Sequence, residues 1–343
     1  MAHCLAALNP EDVEWLVTHG TVQWLEPESV IIAEGIYLDA LVLMLQGVAC
    51  VDATYQGRES VASTLIDTTH SPTLLGELSY MDGRATVASV VAQTRCQVVR
   101  VPFLYIERQI ERDRGFACRL YETLAVLLAQ RLREVSRWVV GRPLIGSAMI
   151  RQVLLFFAIL QDQDIDVLIR TGQVQVMSSG DSVLWQGESV AYFSLVLSGQ
   201  LTIEVANEME ASVVDTIGAG EILGELALLE DLPASASVVA RQRSYLLSLE
   251  KAELCGILRE QRGFARRFYE ALAVVLADRI RNTLYQRGVS VVSFQQGEAT
   301  RFGDDEINFE TLDRSAIAAA RFDWLRRRVS QVHAVRADEF SRA

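Results

Sequence analysis

Gly76 to Ala92 reads GELSYMDGRATVASVVA, and Gly224 to Ala240 reads GELALLEDLPASASVVA. The two stretches align without a gap at an offset of 148 and share eight of seventeen positions. A second pair follows them. Arg114 to Arg133 reads RGFACRLYETLAVLLAQRLR and Arg262 to Arg281 reads RGFARRFYEALAVVLADRIR, identical at fourteen of twenty positions at the same offset. Self-similarity at a fixed period speaks directly to architecture. Upstream, Gly20 pairs with Gly172, Gly35 with Gly187 and Gly47 with Gly199, all at an offset of 152. The four-residue slip therefore falls between Gly47 and Gly76, where a longer hairpin loop in the first copy is the simplest expectation.

Each copy runs helix, several short strands, helix. Asn9-Pro10-Glu11-Asp12 supplies an N-cap, a proline at the first helical position and acids in the first turn, which predicts a short helix through Trp15 and Leu16. Its counterpart is Asp162 to Ile169. Val30 to Ile32, Leu41 to Leu45, Val183 to Trp185 and Ser194 to Leu197 are short β-rich runs ended by glycine, and strands at this spacing imply a barrel or sandwich. The RGFA stretches open helices, with Phe116, Leu120, Leu124, Leu127, Leu128 and Arg131 at the spacing of one amphipathic face.

A chain of 343 residues suits two domains and a remainder. Half of it is hydrophobic and 22% charged, enough to build cores and to exclude wholesale disorder. The net charge of -12 repels phosphate backbones and anionic membranes. The cysteines at 4, 50, 96, 118 and 255 form no CxxC pair and are odd in number, which fits a reducing, cytoplasmic setting. The N-terminus lacks the basic and apolar regions of a signal peptide. The apolar stretch Leu144 to Leu160 is broken by Arg151 and Gln152, so its Leu154 to Leu160 run predicts a buried helix rather than a membrane span.

On the glycine pairs, the two Gly-Glu-Leu triplets and the shared Ala-Ser-Val-Val-Ala ending, residues 5 to 285 resemble a tandem of cyclic-nucleotide-binding domains. This is the sensor module of bacterial catabolite-activator-type regulators, kinase regulatory subunits and nucleotide-gated channels. The resemblance implies a mainly β fold with flanking helices: two tandem jelly-roll β-barrels, each followed by a long helix that closes over the ligand or pairs with another subunit. The expected boundaries are 1–140 for domain 1, 141–286 for domain 2 and 287–343 for a C-terminal extension with one helix. The implied ligand is a cyclic nucleotide, cyclic AMP or cyclic GMP.

Such a ligand carries one negative charge and needs a forked cation together with backbone N–H donors from a short helix. Gly76-Glu77-Leu78 and Gly224-Glu225-Leu226 take the family's helix-opening positions, where the glutamate accepts from the ribose 2′-hydroxyl. The family's phosphate arginine, ten residues after the glycine, is missing from both copies: Thr86 follows Ala85, and Ala234 follows Pro233. Losing one partner of a buried charge pair costs about 2 to 5 kcal/mol, roughly thirtyfold to several-thousandfold in affinity. Arg84, two residues before the vacant position, is the candidate substitute in domain 1; Leu232 stands at the same place in domain 2. Ser89, Ser235 and Ser237 complete the candidate ligand contacts, against the plainer reading of Ser89 and Ser237 as hydrogen-bonded barrel residues. Glu77 and Glu225 have a structural alternative too, as carboxylates capping the short helix.

Histidine occurs only at 3, 19, 70 and 333, so neither a Ser-His-Asp constellation nor a multi-histidine metal site can be assembled within the second copy. No catalytic or metal-ligating residue is expected, and the chain reads as non-enzymatic. Asp304-Asp305-Glu306 reads as a solvated acidic run. After domain 2 come a short β-like stretch at Val289 to Phe294, a loop and one helix from about Ser315 to Gln331 carrying Arg326-Arg327-Arg328. No helix-turn-helix is visible there, so nucleic acid is not an expected partner. The leading expectation is a regulatory or adaptor protein whose post-barrel helices contact another protein or a second copy of the chain in a homo-oligomer. A purely structural protein with both pockets lost, and a divergent transcription regulator, are the alternatives.

Overall fold

The computed structural model describes residues 5, 7–55, 58–69, 71–139, 154–206, 211–286 and 309–333. Val289 to Phe294, Asp304 to Glu306, Cys4, His3 and His70 lie outside them. The chain divides into two compact units. Unit 1 comprises Met1–Leu128, Pro143–Ile150 and Leu276–Ile307; unit 2 comprises Ala129–Arg142, Arg151–Val275 and Asn308–Ala343.

Unit 1 begins with α1 (Pro10–His19), whose cap is the one its sequence asks for. The Asn9 side chain accepts from the Asp12 N–H at 2.8 Å, and the Asp12 carboxylate accepts from the Asn9 N–H at 2.9 Å. Replacing Asn9 by Ala should cost about 1 kcal/mol, read as a lower urea midpoint with unchanged slope. Eight strands follow: β1 (Thr21–Leu25), β2 (Val30–Ile32), β3 (Ala40–Gln46), β4 (Val48–Tyr55), β5 (Arg58–Asp67), β6 (Thr73–Leu75), β7 (Ser89–Ala92) and β8 (Cys96–Pro102). They form two antiparallel sheets, ordered β1-β8-β3-β6 and β2-β7-β4-β5. Ile32, Val42, Leu75, Val90 and Val98, drawn from both sheets, meet in one core, as two faces of a jelly roll must. Helix α2 (Glu77–Asp82) interrupts the strands between β6 and β7. Helices α3 (Phe103–Arg112) and α4 (Arg114–Val139) follow β8.

Unit 2 repeats the plan. Helices α5 (Leu155–Ile159) and α6 (Asp162–Thr171) precede β9 (Gln173–Met177), β10 (Ser182–Leu184), β11 (Tyr192–Ser198), β12 (Gln200–Ala206), β13 (Ala211–Gly218), β14 (Ile222–Leu223), β15 (Ser237–Ala240) and β16 (Ser244–Glu250). Their sheets, β9-β16-β11-β14 and β10-β15-β12-β13, match those of unit 1 strand for strand. Helix α7 (Glu225–Glu230) lies between β14 and β15, and α8 (Lys251–Glu260) and α9 (Arg262–Gln286) follow β16. The expected buried helix at Leu154 to Leu160 is α5. Its Phe156 and Phe157 are fully buried, and Phe156 packs edge-on to Phe268 of α9 at 5.7 Å. The C-terminal helix, here α10 (Phe309–Val332), packs Phe322, Leu325 and Val329 inward. Phe322 meets Phe157 at 5.2 Å. Arg321 donates to the carbonyls of Phe157 and Ala158, which caps the C-terminal end of α5.

The slip between the repeats is not a longer hairpin loop. Strands β4 and β5 have eight and ten residues against seven and eight in β12 and β13, and residues 68–72 connect to β6 where 219–221 connect to β14. Counted whole, the hairpin 48–67 exceeds 200–218 by one residue, the connection that follows by two and β6 exceeds β14 by one, which together make the four.

Helix membership differs from the repeat order. Leu276 onward in α9 belongs to unit 1, and Ala129 onward in α4 belongs to unit 2. The leucine face read from the sequence is buried, with Leu120, Leu124 and Leu128 at zero exposure.

Candidate cyclic-nucleotide cassettes

In unit 1, β6 delivers the chain to Gly76 at φ 84°, ψ 9°, the left-handed conformation that turns a strand sharply into a helix. Helix α2 runs from Glu77 to Asp82 and ends at Gly83, whose N–H donates to the Ser79 carbonyl at 2.9 Å. Arg84, Ala85 and Thr86 then lead to β7. Unit 2 repeats the turn at Gly224, with φ 80° and ψ 4°, and ends α7 at Asp231, also left-handed. Glu77 is fully buried and Glu225 is 5% exposed. Buried carboxylates need charge or hydrogen-bond compensation, so both are specific features of their sites rather than surface acids.

The position ten residues past each glycine is tied into the barrel. Thr86 N–H donates to the Ile36 carbonyl, and Gly35 N–H to the Thr86 carbonyl, each at 2.9 Å. Ala234 does the same with Glu188 and Gly187, again at 2.9 Å. The Thr86 hydroxyl adds a donation to Ala33 O at 2.6 Å and an acceptance from Ile36 N–H at 3.1 Å. Ser89 and Ser237 hydroxyls accept from Glu34 and Gln186 N–H at 3.0 Å. These three side chains hold the barrel rim. Leu78, Leu226 and Ser235 are half-buried.

Three guanidinium groups surround the cassettes. Arg84, a third exposed, stands 3.9 Å from the Asp278 carboxylate of α9 in the same unit. Arg281, also of α9, makes a two-pronged pair with Asp82, at 3.0 Å through its second prong, and donates to the Ala85 carbonyl at 2.8 Å. In unit 2, Arg133 of α4 donates to Glu230 at 2.9 Å and to the Pro233 carbonyl at 3.0 Å. Sequence reasoning passed over Arg133 and Arg281, although both close the repeated RGFA segment. An arginine among the later turns of a helix ordinarily reads as solvated.

The named charges leave each cassette slightly negative. Glu77, Asp82 and Asp278 stand against Arg84 and Arg281 in unit 1, and Glu225, Glu230 and Asp231 against Arg133 and Lys251 in unit 2. Lys251 holds the Asp231 carboxyl below the usual carboxylate range through a hydrogen bond. An incoming phosphate must therefore draw a cation away from an acid that already holds it. Among the described residues no group of three His, Cys, Asp or Glu side chains could hold a metal, and no helix is long and apolar enough to cross a membrane.

The cyclic nucleotide-binding domain model matches residues 22–113 and 168–261, together more than half of the chain. Among curated proteins, the cAMP-dependent protein kinase regulatory subunit of Blastocladiella emersonii is 34% identical over 126 residues, 36% of this chain and 31% of that one. That of Yarrowia lipolytica is 40% identical over 77 residues, 22% of this chain and 20% of that one. The alignments thus span less than a third of the length of these relatives. Among solved structures, the regulatory domain of Toxoplasma gondii PKA with cAMP aligns over 77% of this chain and 89% of that one, at 16% identity and a TM-score of 0.29. With two matched segments, each carrying the eight-strand plan and the glycine-opened short helix, the chain belongs to the cyclic nucleotide-binding domain family and holds two such domains in tandem.

Proposed function

We propose that the protein is a non-enzymatic regulator or adaptor, in which domain 1 takes a cyclic nucleotide, cyclic AMP or cyclic GMP, and the site of domain 2 is degenerate. The observation that carries this reading is the guanidinium count, the second cation of unit 2 being the ammonium of Lys251. Unit 1 sets two guanidiniums, Arg84 and Arg281, beside a glycine-opened helix with a buried Glu77, whereas unit 2 offers one, Arg133. Ligand entry changes the packing of the post-barrel helix, and a partner reads that shift. The partner is a protein, and the kinase regulatory subunits among the relatives make a kinase chain its favoured class. Because the leucine faces of α4 and α9 are buried, the surface left for it includes the outer side of α10, where Ile317, Arg327 and Arg328 are exposed. Cytoplasmic placement fits Cys50, Cys96, Cys118 and Cys255, all free thiols.

Calorimetric titration with cyclic AMP and cyclic GMP tests the ligand. Wild type should give saturable heat, and Arg84→Ala, at a site that is a third exposed, should weaken it about tenfold, or ~1.4 kcal/mol. A second reading, two barrels kept only as packing modules, draws on the pairing of the cassette arginines with acids. Absence of heat with both nucleotides would establish it instead.

A further inference from the structure

We propose that Arg133 and Arg281 are latches: each is a helix-borne guanidinium that shuts the cassette of the opposite repeat in the absence of ligand. The two sets are built alike. Arg281 binds the acid ending α2, Asp82, and the Ala85 carbonyl; Arg133 binds the acid ending α7, Glu230, and the Pro233 carbonyl. Members of each equivalent pair, 133 and 281, 82 and 230, 85 and 233, lie 148 residues apart, the period of the repeat. The contact is therefore a property of the duplicated unit, present twice with one chemistry.

Burial makes it consequential. The Arg281 side chain is 2% exposed and that of Asp82 12%; Arg133 and Glu230 are 8% and 4% exposed. A guanidinium this enclosed is held by its partners, since removing one strands the other in a poorly solvating site. Its anchor is the loop just before Thr86 and Ala234, where the family's phosphate arginine is missing. The helix arginine thus joins helix to cassette through carboxylate and carbonyl. Arg281 sits on the part of α9 belonging to unit 1, while the start of the same helix belongs to unit 2.

Hydrogen exchange on ligand-free full-length protein tests this independently of any nucleotide affinity. Arg281→Gln should speed exchange about tenfold in residues 77–86 and 276–286, leaving 225–234 and strands β3 and β8 unchanged. Arg133→Gln should do the converse, loosening 225–234 and sparing 77–86. Asp82→Asn should reproduce Arg281→Gln, and the double variant should exceed neither single one. Loosening of 225–234 by Arg281→Gln, unchanged exchange in 77–86, or additive singles would each overturn the latch. If Arg281→Gln does not fold, Asp82→Asn carries the same comparison, because it keeps the side chain's shape and removes only its charge.

Discussion

Asp164→Ala should destabilise unit 2 by about 3 to 5 kcal/mol, among the largest losses open to a single polar substitution in this chain. Asp164 is almost wholly buried and serves two partners. Its Oδ2 accepts from Arg267 Nε at 2.6 Å and from the Gln161 N–H at 2.7 Å, and its Oδ1 accepts the second prong of Arg267 at 2.7 Å. The hydrogen bond to Asp164 raises the Arg267 guanidinium above its ordinary value, against the effect of burial. Alanine would remove a helix cap and take the two-pronged partner from a largely enclosed cation. The double variant Asp164→Leu/Arg267→Met should recover most of the loss, because an apolar pair needs no desolvation of charge. Urea unfolding of Asp164→Ala, of the double variant and of its two single components decides it. A loss below ~1 kcal/mol in Asp164→Ala, or a double variant as unstable as the sum of its parts, would remove the pair from the stability of unit 2. The equivalent pair, Asp12 with Arg119 at 2.6 and 2.7 Å, should give a like result in unit 1.

These arginines show how far the primary structure can be read. The two repeats, their opening helices, the strand-ending glycines and the long helices follow from periodicity and capping chemistry that act within a few residues. The 148-residue period makes them visible twice. Arg119 and Arg267 stand in that repeated segment, as do Arg133 and Arg281, yet nothing local separates those that bury from those that do not. Their partners lie 97 to 199 residues away. Helix periodicity also shows that α4 and α9 have an apolar face without saying which barrel covers each half. That depends on the division at Leu128 and Leu276, set by packing between elements far apart in sequence. Glu77 is a different case. Its residue type and place after Gly76 were legible, but its complete burial was not, because a glutamate at the first turn of a short helix is as well suited to solvent.

The opening glycines allow a sharper test, since equivalent residues face unequal neighbours. Both Gly76 and Gly224 are left-handed, a conformation that costs an L-residue roughly 1 to 2 kcal/mol. A Cβ on Gly76 would stand 2.7 Å from Leu38 Cδ1, the tip of a side chain able to rotate aside. One on Gly224 would stand 2.4 Å from the Tyr192 carbonyl oxygen, whose residue is fixed in β11 by its pairing with Glu250. Relieving that overlap must move strand or helix, at a further cost of about 1 to 3 kcal/mol. Gly224→Ala should therefore destabilise by about 2 to 5 kcal/mol and Gly76→Ala by only about 1 to 2 kcal/mol, compared by urea midpoints. Equal losses at the two sites would mean that β11 yields as readily as a leucine tip. The left-handed turn alone would then set the cost, and the rigidity assigned here to the unit 2 cassette would be lost.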